Sequence, residues 1–395
     1  MKKIIKNGKI ITPMRILNDC SVVIMQDKIE CILDNDEIKY EQSDEVIDAG
    51  GRFVSPGFID IHTHGGGGHD FMDGTVKSII EAAKAHMNYG TTTIVPTTES
   101  STIEEIFDTL DNFKEAKKNC KNCPELLGVH LEGPYFSMEQ KGAQNPRYIR
   151  NPDYEEYTKI LNYSNDIVNW TIAPELEGAL RMGRELTERG ILCSIGHSNA
   201  TYEDILKAFE NGYRHVTHLY SGMSMVRRIN AFRYAGVVES AFLINELTVE
   251  IIADGVHLPE SLLKLIYKIK GSDKICLVTD SMRAAGMPEG IYMCGSLKDG
   301  MKAVVEDGVA KLMDRTSFAG SVATADRLLK TMVRIASVPI QEAVKMMTLT
   351  PAKIMGIDNR KGTISTGKDA DIVIFDDDIN VFYVMVNGET RVNRL

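Results

Sequence analysis

No stretch of this chain is apolar for long enough to span a bilayer, which takes about 20 residues of helix. The opening MKKIIKNGKIITPMRIL carries lysines but no unbroken apolar run before Pro13 and Arg15. Membrane insertion and export both lack a signal, so a cytoplasmic location is expected. Basic charge is scarce as well: 45 Lys and Arg stand against 55 Asp and Glu, a formal net charge of −10. Such a chain has no general attraction for nucleic acid or an anionic membrane, and any anion it binds must meet a local cluster of cations. Cysteines are few and odd in number, seven in all, at 20, 31, 120, 123, 193, 276 and 294. That scatter excludes a disulfide framework and predicts reduced thiols. Cys120 and Cys123 have the spacing of half a zinc knuckle, but the matching pair is missing. What remains is globular material, 395 residues with 43% hydrophobic and 25% charged, enough for a large core and a smaller second module.

The first fifty residues alternate short β-rich pieces, KKIIKNGKIIT, CSVVIMQDKIECIL and DEVIDAGGRFV, with turn residues, the texture of a small antiparallel module. The last thirty behave alike, so residues 1–54 and 351–395 are expected to build one sheet domain around a central domain of 55–350. In the centre, short apolar runs are followed by small or polar residues and then by helix-patterned stretches such as 78–89 and 202–211. Eight runs recur: FIDIH (58–62), TTTIV (91–95), LLGVHLE (126–132), NWTIA (169–173), ILCSIG (191–196), HVTHL (215–219), LTVEIIA (247–253) and KICLVTD (274–280). Eight strands alternating with helices predict an α/β fold of the (β/α)8 barrel type, with its site at the C-terminal strand ends. A doubly wound open sheet is the second choice. Residues 286–320 look like hairpins inserted after the eighth strand.

The chemistry starts at GFIDIHTHGGGGHDF, where His62 and His64 leave the same face of a strand, about 7 Å apart along the backbone. The other promising polar residues obey the same frame. Glu132, His197, His218 and Asp280 each lie at the C-terminal end of a run. Histidines scattered over a surface would not respect strand ends, so these residues are expected to converge on a metal. Imidazole and carboxylate ligands without paired thiolates suit Zn²⁺, Fe²⁺ or Mn²⁺. A catalytic ion lowers the pKa of water towards neutrality, and Asp280 is then the natural proton carrier. His257, just beyond the seventh run, is placed to touch a substrate. His130 shares a strand face with Glu132 and suits either a supporting or a core role; His69 and His86 fall on a loop and a helix. His215 begins its run, three residues before His218, which puts it at the wrong end and on the other face.

PGFIDIHTHG, GVHLEGPY, IGHSNA, THLYSGM, IADGVHLP, LVTDSM and AGSVATAD, in this order, resemble the amidohydrolase superfamily, and within it the branch that deacetylates amino sugar phosphates. The likeness runs from about residue 50 to 330, and the flanks suit that branch's small β-sandwich. It implies that Glu132 stands where many relatives use a modified lysine, with His197 and His218 as further ligands and Asp280 as general base and acid. His62 and His64 match a first-strand pair that only some members possess, which makes room for one or two divalent ions per subunit. His257 matches a substrate-binding histidine, while Ala143, Gln144, Phe318, Ala319 and Gly320 match loops that meet the sugar. The implied reaction is hydrolysis of N-acetyl-D-glucosamine 6-phosphate to acetate and D-glucosamine 6-phosphate. The galactosamine epimer, an N-acyl amino acid and a non-catalytic scaffold are the alternatives. Two departures fall on phosphate recognition. Ser221 and Gly222 replace a usual Asn-Ala pair, and the phosphate-binding arginine, given across a homodimer in relatives, is matched by Arg227, Arg228 or Arg233. FRYAG favours Arg233; Arg283, close after Asp280, replaces a usual small residue.

Overall fold

Eight parallel strands form the centre of the molecule, described for residues 2–395 by a computed structural model. They are β1 (Phe58–Thr63), β2 (Thr91–Thr98), β3 (Val129–Glu132), β4 (Ile167–Ile172), β5 (Leu192–Ile195), β6 (His215–Val216), β7 (Thr248–Ile251) and β8 (Ile275–Leu277). Each pairs with the next in chain order, so all eight apolar runs contribute a strand. No strand ladder joins β8 to β1. Instead, the N–H of Asp280 donates to the carbonyl of His62 (2.9 Å), and the buried Asp60 carboxylate accepts from the hydroxyl (2.6 Å) and amide (3.2 Å) of Thr279. This seam makes the sheet a nearly closed barrel rather than an open doubly wound sheet.

A helix follows every strand: Val76–Met87, Ile103–Asn119, Tyr154–Tyr163, Ala179–Glu188, Tyr202–Glu210, Val237–Leu243, Glu260–Lys270 and, after the insertion, Ala325–Arg334. Four begin with a side-chain cap from Thr75, Thr102, Asp153 or Thr201 on the amide three residues on, each worth about 1 kcal/mol. The helices cover the outer strand faces while the barrel interior covers the inner ones, which is why the strands read as continuous apolar runs rather than alternating ones. The only tryptophan, Trp170 of β4, is fully buried and donates from Nε1 to the carbonyl of Gly133 (2.9 Å).

The chain ends meet in one eight-stranded, mainly antiparallel sheet. Its N-terminal and C-terminal parts join where Phe53–Pro56 pairs with Ile372–Phe375, and Ile5, Val22, Ile24, Val54, Ile372, Ile374 and Tyr383 share its core. Helix Leu349–Ile354 straddles the position where the sequence suggests the sheet domain resumes, and its Ala352 packs with Ile59, Ile61, Val95, Ile252 and Val278 of the barrel. A buried ion cluster lies nearby. The Lys361 ammonium meets Glu125 (3.0 Å), Asp369 (3.2 Å) and Asp371, and Arg360 adds bonds to Glu125 and Asp369. The insertion after β8 is a three-stranded antiparallel sheet, Gly290–Cys294, Met301–Glu306 and Val309–Leu312. Cys120 and Cys123 lie side by side where helix Ile103–Asn119 ends, with their Cα atoms 5.9 Å apart, and the other five cysteines are free. Among the described residues no helix is long and apolar enough to cross a membrane.

Candidate active site

The polar strand-end residues gather at one mouth of the barrel. Three of them, His197 (φ 47°), His218 (φ 26°) and Asp280 (φ 45°), adopt left-handed backbone just past β5, β6 and β8. Non-glycine residues hold that conformation at a cost of about 1–3 kcal/mol, so the surrounding packing must enforce it. Gly320 (φ 68°) makes a close approach possible: a Cβ there would meet the carbonyl oxygen of Asp280 at 3.0 Å.

Glu132 lies at the centre. Its Oε1 contacts Nε2 of His218 (2.9 Å) and His197 (3.2 Å), its Oε2 lies 3.4 Å from Nε2 of His64, and His62 Nε2 is 3.7 Å from Oε1. Asp280 Oδ1 faces the Nε2 atoms of His64 (3.2 Å) and His62 (3.5 Å). The potential ligand atoms form two groups that share Glu132, one with His62 and His64 and one with His197 and His218, each spanning less than 4.8 Å. The outer nitrogens are partly anchored. His197 Nδ1 bonds the carbonyl of Gln140 (2.8 Å), and His62 Nδ1 bonds Glu250 (2.9 Å). Gln144 donates its amide to Glu132 Oε2 (2.8 Å) while its own oxygen accepts from the N–H of Ser100 (2.8 Å).

The electrostatics follow from burial and charge. Burial opposes ionisation of Glu132, but hydrogen bonds from His197, His218 and His64 outweigh it and hold the carboxyl well below its usual range. Asp280 is lowered in the same way: burial resists, and His62, His64 and His218 prevail. Burial pulls His62 down, yet Glu250, Asp280 and Glu132 push it up to about 9. His64 is driven well above its ordinary value and His218 is raised, both by the neighbouring carboxylates against the burial penalty. His130 goes the other way, kept neutral by burial and by His62, with its ring nitrogens bonded to Thr171 (2.7 Å) and Thr97 (3.3 Å). Two buried carboxylates thus draw positive charge onto the imidazoles that face them. Four imidazole nitrogens, shared carboxylate oxygens and no thiolate fit a divalent metal ion.

A cavity of about 520 Å³ opens above this group. His64, Glu132, His197, His218 and Asp280 line it, as do Ala143, Gln144, Ser221, Gly222, His257, Phe318 and Gly320. His257 Nδ1 is fixed by the Asp254 carboxylate (2.8 Å), and its ring lies 4.6 Å from that of Phe318. His62 sits beneath, fully buried, and Ala319 is buried behind the wall. Arg227, Arg228 and Arg233 do not line the cavity. Arg227 is held by Asn199 Oδ1 (2.5 Å) and its carbonyl (2.8 Å), while Arg228 and Arg233 face each other across an exposed hairpin. Arg283 is buried, forked onto Asp73 (2.8 and 3.1 Å), and pins the insertion through the carbonyls of Met293 and Gly295.

Sequence reasoning overlooked Glu250, and it misjudged His215. β6 is only two residues long and the chain turns at His218, so the strand alternation that separated the two histidines does not extend that far. His215 is buried in the barrel with Nε2 on Glu250 (3.1 Å). His86 lies on its helix as expected and bonds the carbonyl of Gly65 (2.9 Å); His69 falls in a two-residue strand rather than a loop. Also unforeseen on the cavity wall are Glu99, Cys294, Lys311 and Arg315, the last two being its lysine and arginine.

Comparison with known proteins agrees with this geometry. The Amidohydrolase family model matches residues 53–391. The chain is 34% identical to N-acetylglucosamine-6-phosphate deacetylase of Haemophilus influenzae over 394 residues, 100% of both chains. The crystal structure of N-acetylglucosamine-6-phosphate deacetylase from Pasteurella multocida has a TM-score of 0.92 at 32% identity and covers 100% of both chains. A mutant of the Mycobacterium smegmatis enzyme, solved with N-acetyl-D-glucosamine-6-phosphate, has a TM-score of 0.89 at 28% identity and covers 99% of each. With this barrel, this cluster of imidazoles around a shared glutamate and these relatives along its whole length, the chain belongs to the amidohydrolase family.

Proposed function

We propose that this protein is a metal-dependent hydrolase that removes the acetyl group of N-acetyl-D-glucosamine 6-phosphate, giving acetate and D-glucosamine 6-phosphate. The observation that carries this reading is Glu132 shared between two histidine pairs at the barrel mouth, with Asp280 Oδ1 3.2 Å from His64. Relatives of that activity match the whole chain.

Glu132, His197 and His218 would hold one divalent ion, and His62 and His64 together with Glu132 suit a second. Zinc is the ion we assign, and Fe²⁺ and Mn²⁺ suit the same donors. A divalent ion there supplies Lewis acidity to an acyl oxygen and acidifies a water. Asp280, a carboxylate at the edge of the ligand cluster, accepts the proton of the attacking water as the new C–O bond forms. It returns that proton to the amine nitrogen as the C–N bond breaks, so water supplies the hydroxyl of acetate and the hydrogen of the amine. Because the Nδ1–H of His257 is used on Asp254, its Nε2 is left to accept from a sugar hydroxyl or the acetamide N–H. Ser221, Gly222, Ala143, Gln144 and the loop of Phe318, Ala319 and Gly320 enclose the sugar.

For the phosphate we assign Arg233, reaching into the cavity of a second subunit in a homodimer. Its hairpin carries Phe232 at 72% exposure beside exposed Met225, Val226 and Tyr234, apolar surface that a partner would cover. Arg227 and Arg228 are the less favoured choices, and the cytoplasm is the assigned location. The test is acetate release followed by proton NMR, before and after chelation and after adding zinc. Turnover of the phosphosugar that stops on chelation and returns with the ion is expected; no acetate from the loaded protein would overturn the reading.

A further inference from the structure

Glu250 of β7 is fully buried beneath the site and touches both ligand groups at once. Its Oε2 meets His62 Nδ1 (2.9 Å) and also accepts the backbone N–H of His218 (3.2 Å), while its Oε1 meets His215 Nε2 (3.1 Å). His215 Nδ1 in turn lies 2.6 Å from the hydroxyl of Thr248.

These contacts dictate where the protons are. An ionised carboxylate only accepts, so both imidazole nitrogens that face Glu250 must donate. Whenever His62 Nε2 is free to bind an ion, Nδ1 keeps its hydrogen on Glu250, and the lone pair points into the site. His215 gives its Nε2–H to Glu250, and its Nδ1 lies against the Thr248 hydroxyl, which also reaches the carbonyl of Arg214 (3.3 Å). The bond to the His218 amide acts on the left-handed turn that aims that imidazole at Glu132. By contrast, Nδ1 of His64 and Nδ1 of His218 have no partner among the described residues. Glu250 is therefore the anchor on which two of the imidazoles depend, one through its ring and one through its backbone.

We infer that Glu250, oriented by His215, is a positioning residue that sets the tautomer of His62 and the turn at His218, and so tunes metal affinity at the shared site. The inference rests on the metal-dependent reading above. Removing such an outer partner typically costs about 10- to 100-fold in metal affinity.

The experiment titrates Co²⁺ into the metal-stripped protein and follows its visible absorption, with chelator competition for affinity, in wild type, Glu250→Ala, Glu250→Gln and His215→Phe. Circular dichroism checks folding. Wild type that binds no Co²⁺ refutes the metal reading itself, a different failure from that of the inference. If wild type binds, Glu250→Ala should lose about 10- to 100-fold in affinity and change the Co²⁺ spectrum. Glu250→Gln, which keeps one acceptor for His62 without the charge, should fall between, and His215→Phe should move in the same direction. Should Glu250→Ala not fold, Glu250→Gln and His215→Phe decide. Folded variants with wild-type affinity and an unchanged spectrum overturn the inference.

Discussion

Replacing Asp280 with asparagine removes the proposed proton carrier while changing little else. The asparagine keeps an oxygen or amide in the position that now faces His64 at 3.2 Å and His62 at 3.5 Å. Asp280 belongs to neither of the two ligand groups built on Glu132, so metal content should be retained. What disappears is a group able to take a proton from water and return it to nitrogen. Positioned acid–base groups contribute about 10²–10⁴ in rate, which is about 3–5 kcal/mol of barrier. The expected result is a fall of that size in kcat, KM within a few-fold of the parent, and an unchanged ion count by elemental analysis. Turnover within about tenfold of wild type, outside the range for such a group, would remove Asp280 from the mechanism. Loss of metal in step with activity would make it a ligand instead.

Arg233→Ala should raise KM for the 6-phosphate strongly and leave any turnover of unphosphorylated N-acetylglucosamine nearly unchanged; mixed Arg233→Ala and Asp280→Asn subunits should regain activity through hybrid sites, and equal damage to both substrates would refute the assignment. Metal uptake should release protons near pH 7. His62, pushed up to about 9, and His64, driven well above its ordinary value, carry protons there that ligation must expel, and His218 is raised in the same direction, so apparent affinity should climb as pH rises towards 9. Calorimetry in two buffers of different ionisation enthalpy reads the release, and identical heats would contradict it. Lys361→Met should destabilise the fold by about 3–5 kcal/mol, because buried Asp371 would lose its cation, while Glu125 would keep only Arg360 and Asp369 only Arg360 and Lys28. At about 2.1 cal/mol/K per residue that lowers Tm by about 4–6 °C without changing kcat, and an unchanged melt would refute it.

The barrel was legible because each strand is an apolar run closed by polar residues, and burial on both faces leaves that mark directly in the sequence. Glu132, His197, His218 and Asp280 could be placed by the same frame, since the end of a strand fixes where the next side chain goes. Glu250 was hidden by that frame. It sits inside LTVEIIA, and what makes a buried carboxylate tolerable there is a pair of imidazoles from β1 and β6, contacts between strands that no local pattern records. Arg283 follows a related rule: it lies close to Asp280 in sequence, but its guanidinium turns away to Asp73, a contact between loops that no local pattern records. Lys311 and Arg315 reach the cavity wall only because the inserted sheet folds over the barrel mouth, which its hairpin pattern does not reveal.

The most direct test of the whole account is the rate of acetate release by the metal-loaded protein from three substrates in parallel: N-acetyl-D-glucosamine 6-phosphate, its galactosamine epimer and unphosphorylated N-acetyl-D-glucosamine. The account predicts the highest kcat/KM for the glucosamine phosphate, with the unphosphorylated sugar lower by about tenfold or more because a charge-assisted contact is lost. Equal rates on the sugar with and without phosphate, or a clear preference for the epimer, would contradict it.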